Sequence, residues 1–172
     1  MALVDNNILS SLAKIDRLDL LPSVFETVET PPSVIDELDR AEVDGYNFVS
    51  RIDAVKSYND GWLEIAAPTR AELKLADDIV DHALSSTDAR CLAIASQRDA
   101  RLVTDDAHVG TRGKQLDVEV WDLVLLLRRI EEKASRFSAG MNPTLPFTVH
   151  RSMARLDIPR CSNTHIQVIL ST

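Results

Sequence analysis

Short apolar runs, each breaking off at a polar residue and handing over to a helical pattern, constrain this chain more than any other feature. Ala2 to Asp5 is an apolar run ending in an acid, followed by Asn6-Asn7 and then Ile8, Leu9, Leu12 and Ile15 at helical spacing. That change of period reads as a strand feeding a helix. Val28 to Thr30 is a second short run. Pro31-Pro32-Ser33 after it supplies helix-start chemistry, with Val34, Ile35 and Leu38 as the apolar face. Arg101 to Thr104 runs into Asp105-Asp106, and Leu116 to Trp121 alternates ahead of an amphipathic stretch, Leu123 to Lys133. Helices are also expected over Tyr46 to Val55, stopped by Asn59-Asp60-Gly61, and over Ala89 to Ala95 behind the capping cluster Ser85-Ser86-Thr87. Another should cover Thr69 to Leu84, with Leu73, Ala76, Ile79, Val80 and Ala83 inward; Trp62 to Ala66 reads as a short extended piece. Strands separated by helices predict a three-layer α/β/α fold around a central parallel sheet of four or five strands.

The 172 residues suffice for one domain with a single core. That domain is expected over residues 1–133. Residues 134–172 form a C-terminal extension of different character, with four Arg, one Asp, and Pro143, Pro146 and Pro159 to discourage long helices. Phe147 to Val149 and Ile166 to Leu170 are its candidate strands. The densest apolar run, Leu123 to Leu127, is five residues long, far short of a membrane span. Cys91 and Cys161 form no disulfide framework, so a reducing, cytoplasmic location is expected.

The net charge of −8 argues against passive binding of nucleic acid, which normally recruits a basic surface. Setting the tail's net +3 aside leaves −11 on residues 1–133. The informative point is where the acids fall. Asp5 closes the first strand, and Glu37 lies about one turn into the helix after the second. Asp88 heads a helix behind its capping cluster; Asp105 and Asp106 close the third clear strand. In parallel sheets functional groups gather beyond the C-terminal strand ends, and these positions bring four or five carboxylates to one point. Such crowding requires bound cations or raised pKa values. Oxygen-only ligands suit Mg²⁺ or Mn²⁺, and two such ions serve phosphodiester hydrolysis. The plainer reading is that Asp5 and Asp88 cap helices while Asp105 and Asp106 occupy a turn.

The stretch Leu3-Val4-Asp5-Asn6-Asn7-Ile8-Leu9 resembles the opening of PIN domains, in which an Asp and a following Asn precede a hydrophobic helix. Pro32-Ser33-Val34-Ile35-Asp36-Glu37-Leu38 is similar to the second acidic motif of that family, and Thr87 to Ala95 to the third, an acid heading an Ala-rich helix. Leu102-Val103-Thr104-Asp105-Asp106 is similar to the fourth, a strand ending in Thr, a variable residue and Asp. The resemblance covers residues 2–133 and maps the family's acids to Asp5, Glu37, Asp88 and Asp106. Asp105 falls at the variable place and Asn7 at the family's polar position, while Thr104 orients a carboxylate or water. It implies a VapC-like, metal-dependent endoribonuclease, often the toxin of a toxin–antitoxin pair. Asp5, Asp88, Asp106 and Asp105 would then ligate Mg²⁺ or Mn²⁺. The expected partners are RNA, an antitoxin protein and a second copy of the chain.

Other chemistries find less support. No G-x-G-x-x-G occurs, and Gly113-Lys114-Gln115 lacks the remainder of a P-loop. Cys161 with His165 is half a zinc site without its other half. Arg90, Arg98, Arg101, Arg112 and Lys114 are the cations available to line a local RNA groove. The rival from another class is a PIN-like module that binds protein or RNA with little or no catalysis, which the acidic balance favours.

Overall fold

A computed structural model of the chain describes residues 1–43 and 46–140. The expected strands at Phe147 to Val149 and Ile166 to Leu170 lie outside them. The chain begins with β1 (Ala2–Val4), α1 (Asn6–Lys14), α2 (Leu20–Val24), β2 (Val28–Thr30) and α3 (Pro32–Val43). It continues through α4 (Val49–Asp53), a 3₁₀ turn (Ser57–Asn59), β3 (Leu63–Ile65), α5 (Arg70–Ile79) and α6 (Ser86–Gln97). β4 (Arg101–Val103), α7 (Ala107–Gln115), β5 (Val120–Trp121) and α8 (Leu123–Gly140) follow. Met1–Met141 form one compact unit.

The five strands make one parallel sheet in the order β3-β2-β1-β4-β5. The extended piece after Trp62 is thus the edge strand beside β2. All three residues of β1 are completely buried, as are Leu102 and Val103 of β4. A strand buried on both faces is what helices on both sides of a parallel sheet produce. Leu9 and Leu12 of α1 and Leu92 and Ile94 of α6 are likewise fully buried. The chain builds outward from β1 through β2 to β3, then returns to place β4 on the opposite side of β1. That reversal makes the C-terminal ends of β1 and β4 the switch point of the sheet, where open α/β folds place their sites.

Three helices depart from the pattern read in the sequence. The one expected over Tyr46 to Val55 is reduced to α4. The one expected to end at Lys133 runs on to Gly140. The one expected over Thr69 to Leu84 stops at Ile79, because the Asp81 carboxylate accepts from the backbone N–H of Ala83 (2.8 Å) and Leu84 (3.0 Å) and closes a turn instead. Its buried stripe is also rotated: Ala76 and Ile79 are inside, whereas Leu73 and Val80 are about two-fifths exposed and Ala83 is exposed. The cause is Glu72, which completes a capping box with Thr69 and meets the Arg98 guanidinium at 2.8 Å. Arg98 also reaches Glu29 of β2 at 3.1 Å and so ties α5, α6 and the sheet together. Gly61 is required by close approach, since a Cβ there would stand 2.1 Å from the Val55 carbonyl.

Candidate active site

Asp5 is the residue around which the site is organised. It follows β1 directly, is 4% exposed, and caps α1 by accepting from the backbone N–H of Ile8 at 2.9 Å. Its second oxygen accepts from the Thr104 hydroxyl at 2.5 Å. Thr104 follows β4, and its oxygen also accepts from the backbone N–H of Asp106 at 3.1 Å, so one hydroxyl joins the ends of β1 and β4. Thr30, fully buried at the end of β2, donates to the Val4 carbonyl at 2.9 Å and pins β1 from the other side. Burial pushes the Asp5 carboxyl up to about 6. The bonds from Thr104 and Ile8 restrain that rise, while the charges of Asp88 and Asp105 add to it.

Asp88 lies in the first turn of α6, where the Ser85 hydroxyl donates to its carboxylate at 2.6 Å. Glu37 is on α3 and accepts from the Asn6 side-chain amide at 3.2 Å; Asn6 in turn accepts from Ser10 at 2.9 Å. The amide that bonds Glu37 is that of Asn6, whereas Asn7, the expected supporting residue, is exposed. Position decides between them: Asn6 is the first residue of α1 and faces α3, and its successor is turned outward by the helix. Beneath these groups lies Cys91, fully buried, its thiol driven well above the usual range by burial and then by the charges of Asp5, Asp88 and Glu37. The charges of all three acids thus weigh on one buried thiol. Composition gave no sign of that role for Cys91.

Asp105 and Asp106 both follow β4 and divide their work. Asp106 caps α7, accepting from the backbone N–H of His108 (2.7 Å) and Val109 (3.2 Å). Asp105 accepts from the backbone N–H of Leu123 at 2.9 Å, at the start of α8. Both line a cavity of about 310 Å³ at the ends of β4 and β5, together with Thr104, Lys114 and Asp122. The capping role that the plainer reading gave Asp5 is therefore present, the cap of α6 is Ser85 and not Asp88, and Asp105 and Asp106 each leave one carboxylate oxygen over.

Among the described residues none of Asp5, Glu37, Asp88, Asp105 and Asp106 has an ion-pair partner. Arg98 and Arg101 are consumed by Glu72, Glu29 and Glu119, and Arg112 bonds Gln115 at 2.8 Å. An uncompensated set of oxygen donors fits a hard divalent cation in its chemistry. In its spacing the set is looser: among the described residues no three His, Cys, Asp or Glu side chains are gathered closely enough to hold a metal ion. Trp121 is buried against Phe25, with ring centroids 5.2 Å apart, so it belongs to the core and not to a base-stacking surface. Among the described residues no helix is long and apolar enough to cross a membrane.

The family model described as PIN domain matches residues 1–144. A PilT N-terminus domain protein from the hyperthermophilic archaeon Sulfolobus solfataricus superposes with a TM-score of 0.54 at 16% identity, covering 76% of this chain and 93% of that one. VapBC2 from Rickettsia felis, bound to a DNA fragment from its promoter, gives a TM-score of 0.50 at 14% identity, covering 70% of this chain and 97% of that one. Identities this low bear on the fold alone. No curated protein sequence matches.

Proposed function

This chain belongs to the PIN-domain family, and from that premise we propose that it is a metal-dependent endoribonuclease hydrolysing RNA phosphodiester bonds. The observation that carries the reading is the set of unpaired carboxylates around Asp5 at the switch point of the sheet, with Asp5 itself pushed up to about 6. Asp5, Asp88, Asp105 and Asp106 would hold Mg²⁺ or Mn²⁺, and Glu37 would complete the set or position the attacking water. A bound divalent ion supplies Lewis acidity and offsets the charge of the phosphate. The protein's own part is positional. Thr104 holds Asp5 in one orientation, Asn6 holds Glu37, and Ser85 holds Asp88. Lys114, in the cavity beside Asp105 and Asp106, is placed to meet a backbone phosphate.

Metal binding is tested by melting. Mn²⁺ binding only the folded form should stabilise it by about 2.7 kcal/mol at a hundredfold excess over Kd, which is roughly 5–10 °C for a chain of this size. EDTA should remove the shift and Asp5→Asn should abolish it. A melting temperature indifferent to Mn²⁺ at constant ionic strength sinks the metal-dependent reading.

Thr104→Val tests the support of Asp5. Without the hydroxyl, the Asp5 carboxyl should rise further and the pH midpoint of cleavage should move up with it. Cleavage at neutral pH should fall roughly 10- to 100-fold, the usual loss when a partner of a ligand is removed. An unshifted pH profile would leave Thr104 with a purely structural part.

The loose spacing of the acids favours a second reading, a PIN-like binding module with little catalysis. Under it, Mn²⁺ binding and cleavage would both be indifferent to Asp5→Asn. The pairing with an antitoxin, the homodimer and the cytoplasmic setting belong to the same proposal. Co-purification with the product of an adjacent small gene is the measurement for the first.

A further inference from the structure

A second cavity, of about 250 Å³, lies at the head of α3 and is distinct from the one beside Asp105. Its walls are apolar, formed by Pro32, Pro68 and Leu73, and three polar residues complete the lining: Ser33, which is buried, Arg90, which is half-buried, and Asp36, which is exposed at the rim. Leu73 keeps about two-fifths of its surface open there. Ser33 is only 7% exposed, yet its hydroxyl has no hydrogen-bond partner. Buried hydroxyls are nearly always satisfied by protein, water or ligand, so an unpartnered one beside a cavity is free to bond what enters it. Among the described residues, Arg90 and Asp36 have no ion-pair partner and do not pair with each other. The cavity shares α3 with one of the acids. Glu37 stands one turn beyond Ser33 on the same face of that helix.

A small apolar slot with a few converging polar groups suits a flat, largely apolar ligand whose edges hydrogen-bond. Single-stranded RNA offers such ligands as unstacked bases, which stack on apolar or guanidinium surfaces and are read along their edges. We propose that this cavity receives one nucleobase next to the scissile phosphate, and that the base is guanine. The choice follows from the sense of the donors. Asp36 only accepts, and guanine alone presents two adjacent N–H donors on its Watson–Crick edge. Arg90 only donates, and the O6 and N7 of guanine are its best base partners. Ser33 does either. The proposal rests on the ribonuclease reading and gives that site a sequence preference.

The test uses the full chain and short uridine oligonucleotides carrying one central guanosine, adenosine or cytidine. Binding is measured on the Asp5→Asn protein, and the position of cuts on wild type with Mn²⁺. Guanosine should be preferred by roughly tenfold or more, and Asp36→Asn should erase that preference. Ser33→Ala and Arg90→Gln should weaken it while leaving the Mn²⁺-induced melting shift unchanged. Cutting by wild type that is indifferent to the central base, or a guanosine preference that survives all three substitutions, overturns the base pocket and leaves the nuclease reading standing. Guanosine-selective binding without any cutting overturns the nuclease reading and supports the pocket.

Discussion

Asp5→Asn should lower Mn²⁺-dependent RNA cleavage by on the order of 10² to 10³ and, at pH 8, make the metal-free protein more stable than wild type. Both effects come from the same buried charge. Asn keeps the size of the side chain and can still accept from Ile8, but it cannot hold a hard cation. The stability gain follows from linkage. The Asp5 carboxyl titrates near 6 in the folded chain, against an ordinary value of 3.8. The folded state therefore binds the proton more tightly than the unfolded one. Its contribution is fully present below about pH 4, declines as pH rises through 6, and is absent above. The difference amounts to about 3 kcal/mol at pH 8. Losing the Thr104 bond gives back about 1 kcal/mol, so a net gain of about 1–2 kcal/mol, a few degrees in Tm, is expected. Below pH 4 the variant should have no advantage. Equal cleavage by variant and wild type would move the chemistry elsewhere, and a wild-type Tm flat between pH 4 and 8 would contradict the burial of a charged Asp5.

The fold was legible because β1 and β4 announce themselves. Each is a short apolar run buried on both faces, bounded by polar residues, and followed at once by a helical period. β3 was harder to read. Its three residues Leu63-Glu64-Ile65 form an edge strand whose pairing with β2 comes from the rest of the sheet. The face of α5 was misread for a related reason. Nothing near Glu72 in sequence announces Arg98, 26 positions away, and that pairing carries a carboxylate inward and turns Leu73 out.

The acids at strand ends could be found because their places follow from topology alone. What surrounds them could not. Thr104 reaches Asp5 across 99 positions, and Asn6 reaches Glu37 across 31. The choice of Asn6 over Asn7 depends on how α1 is rotated against α3, which the apolar spacing of α1 fixes only to within one residue. Cys91 reads in sequence as one more small residue on an Ala-rich helix, and the charges that act on it come from the end of β1 and from α3 and α6, which only the fold relates.

Asp105 and Asp106, neighbours at the end of β4, are expected to separate clearly when each is neutralised. The family resemblance gives the main role to Asp106 and treats Asp105 as variable. In the structure each also holds a helix start. Asp106 accepts two backbone N–H groups as the cap of α7, whereas Asp105 takes one at the head of α8 and its charge acts on Asp5. Asp105→Asn should therefore reduce cleavage by on the order of 10², and it should lower the Asp5 carboxyl by removing a nearby like charge, moving the pH midpoint of cleavage down. Asp106→Asn should cost about tenfold in cleavage and little stability, because Asn caps helices about as well as Asp. Asp106→Ala adds the loss of the cap, about 1 kcal/mol, and so separates the structural part of Asp106 from its charge. If Asp106→Asn abolishes cleavage while Asp105→Asn spares it, the register implied by the family motif holds. Asp105 would then serve α8 and no more.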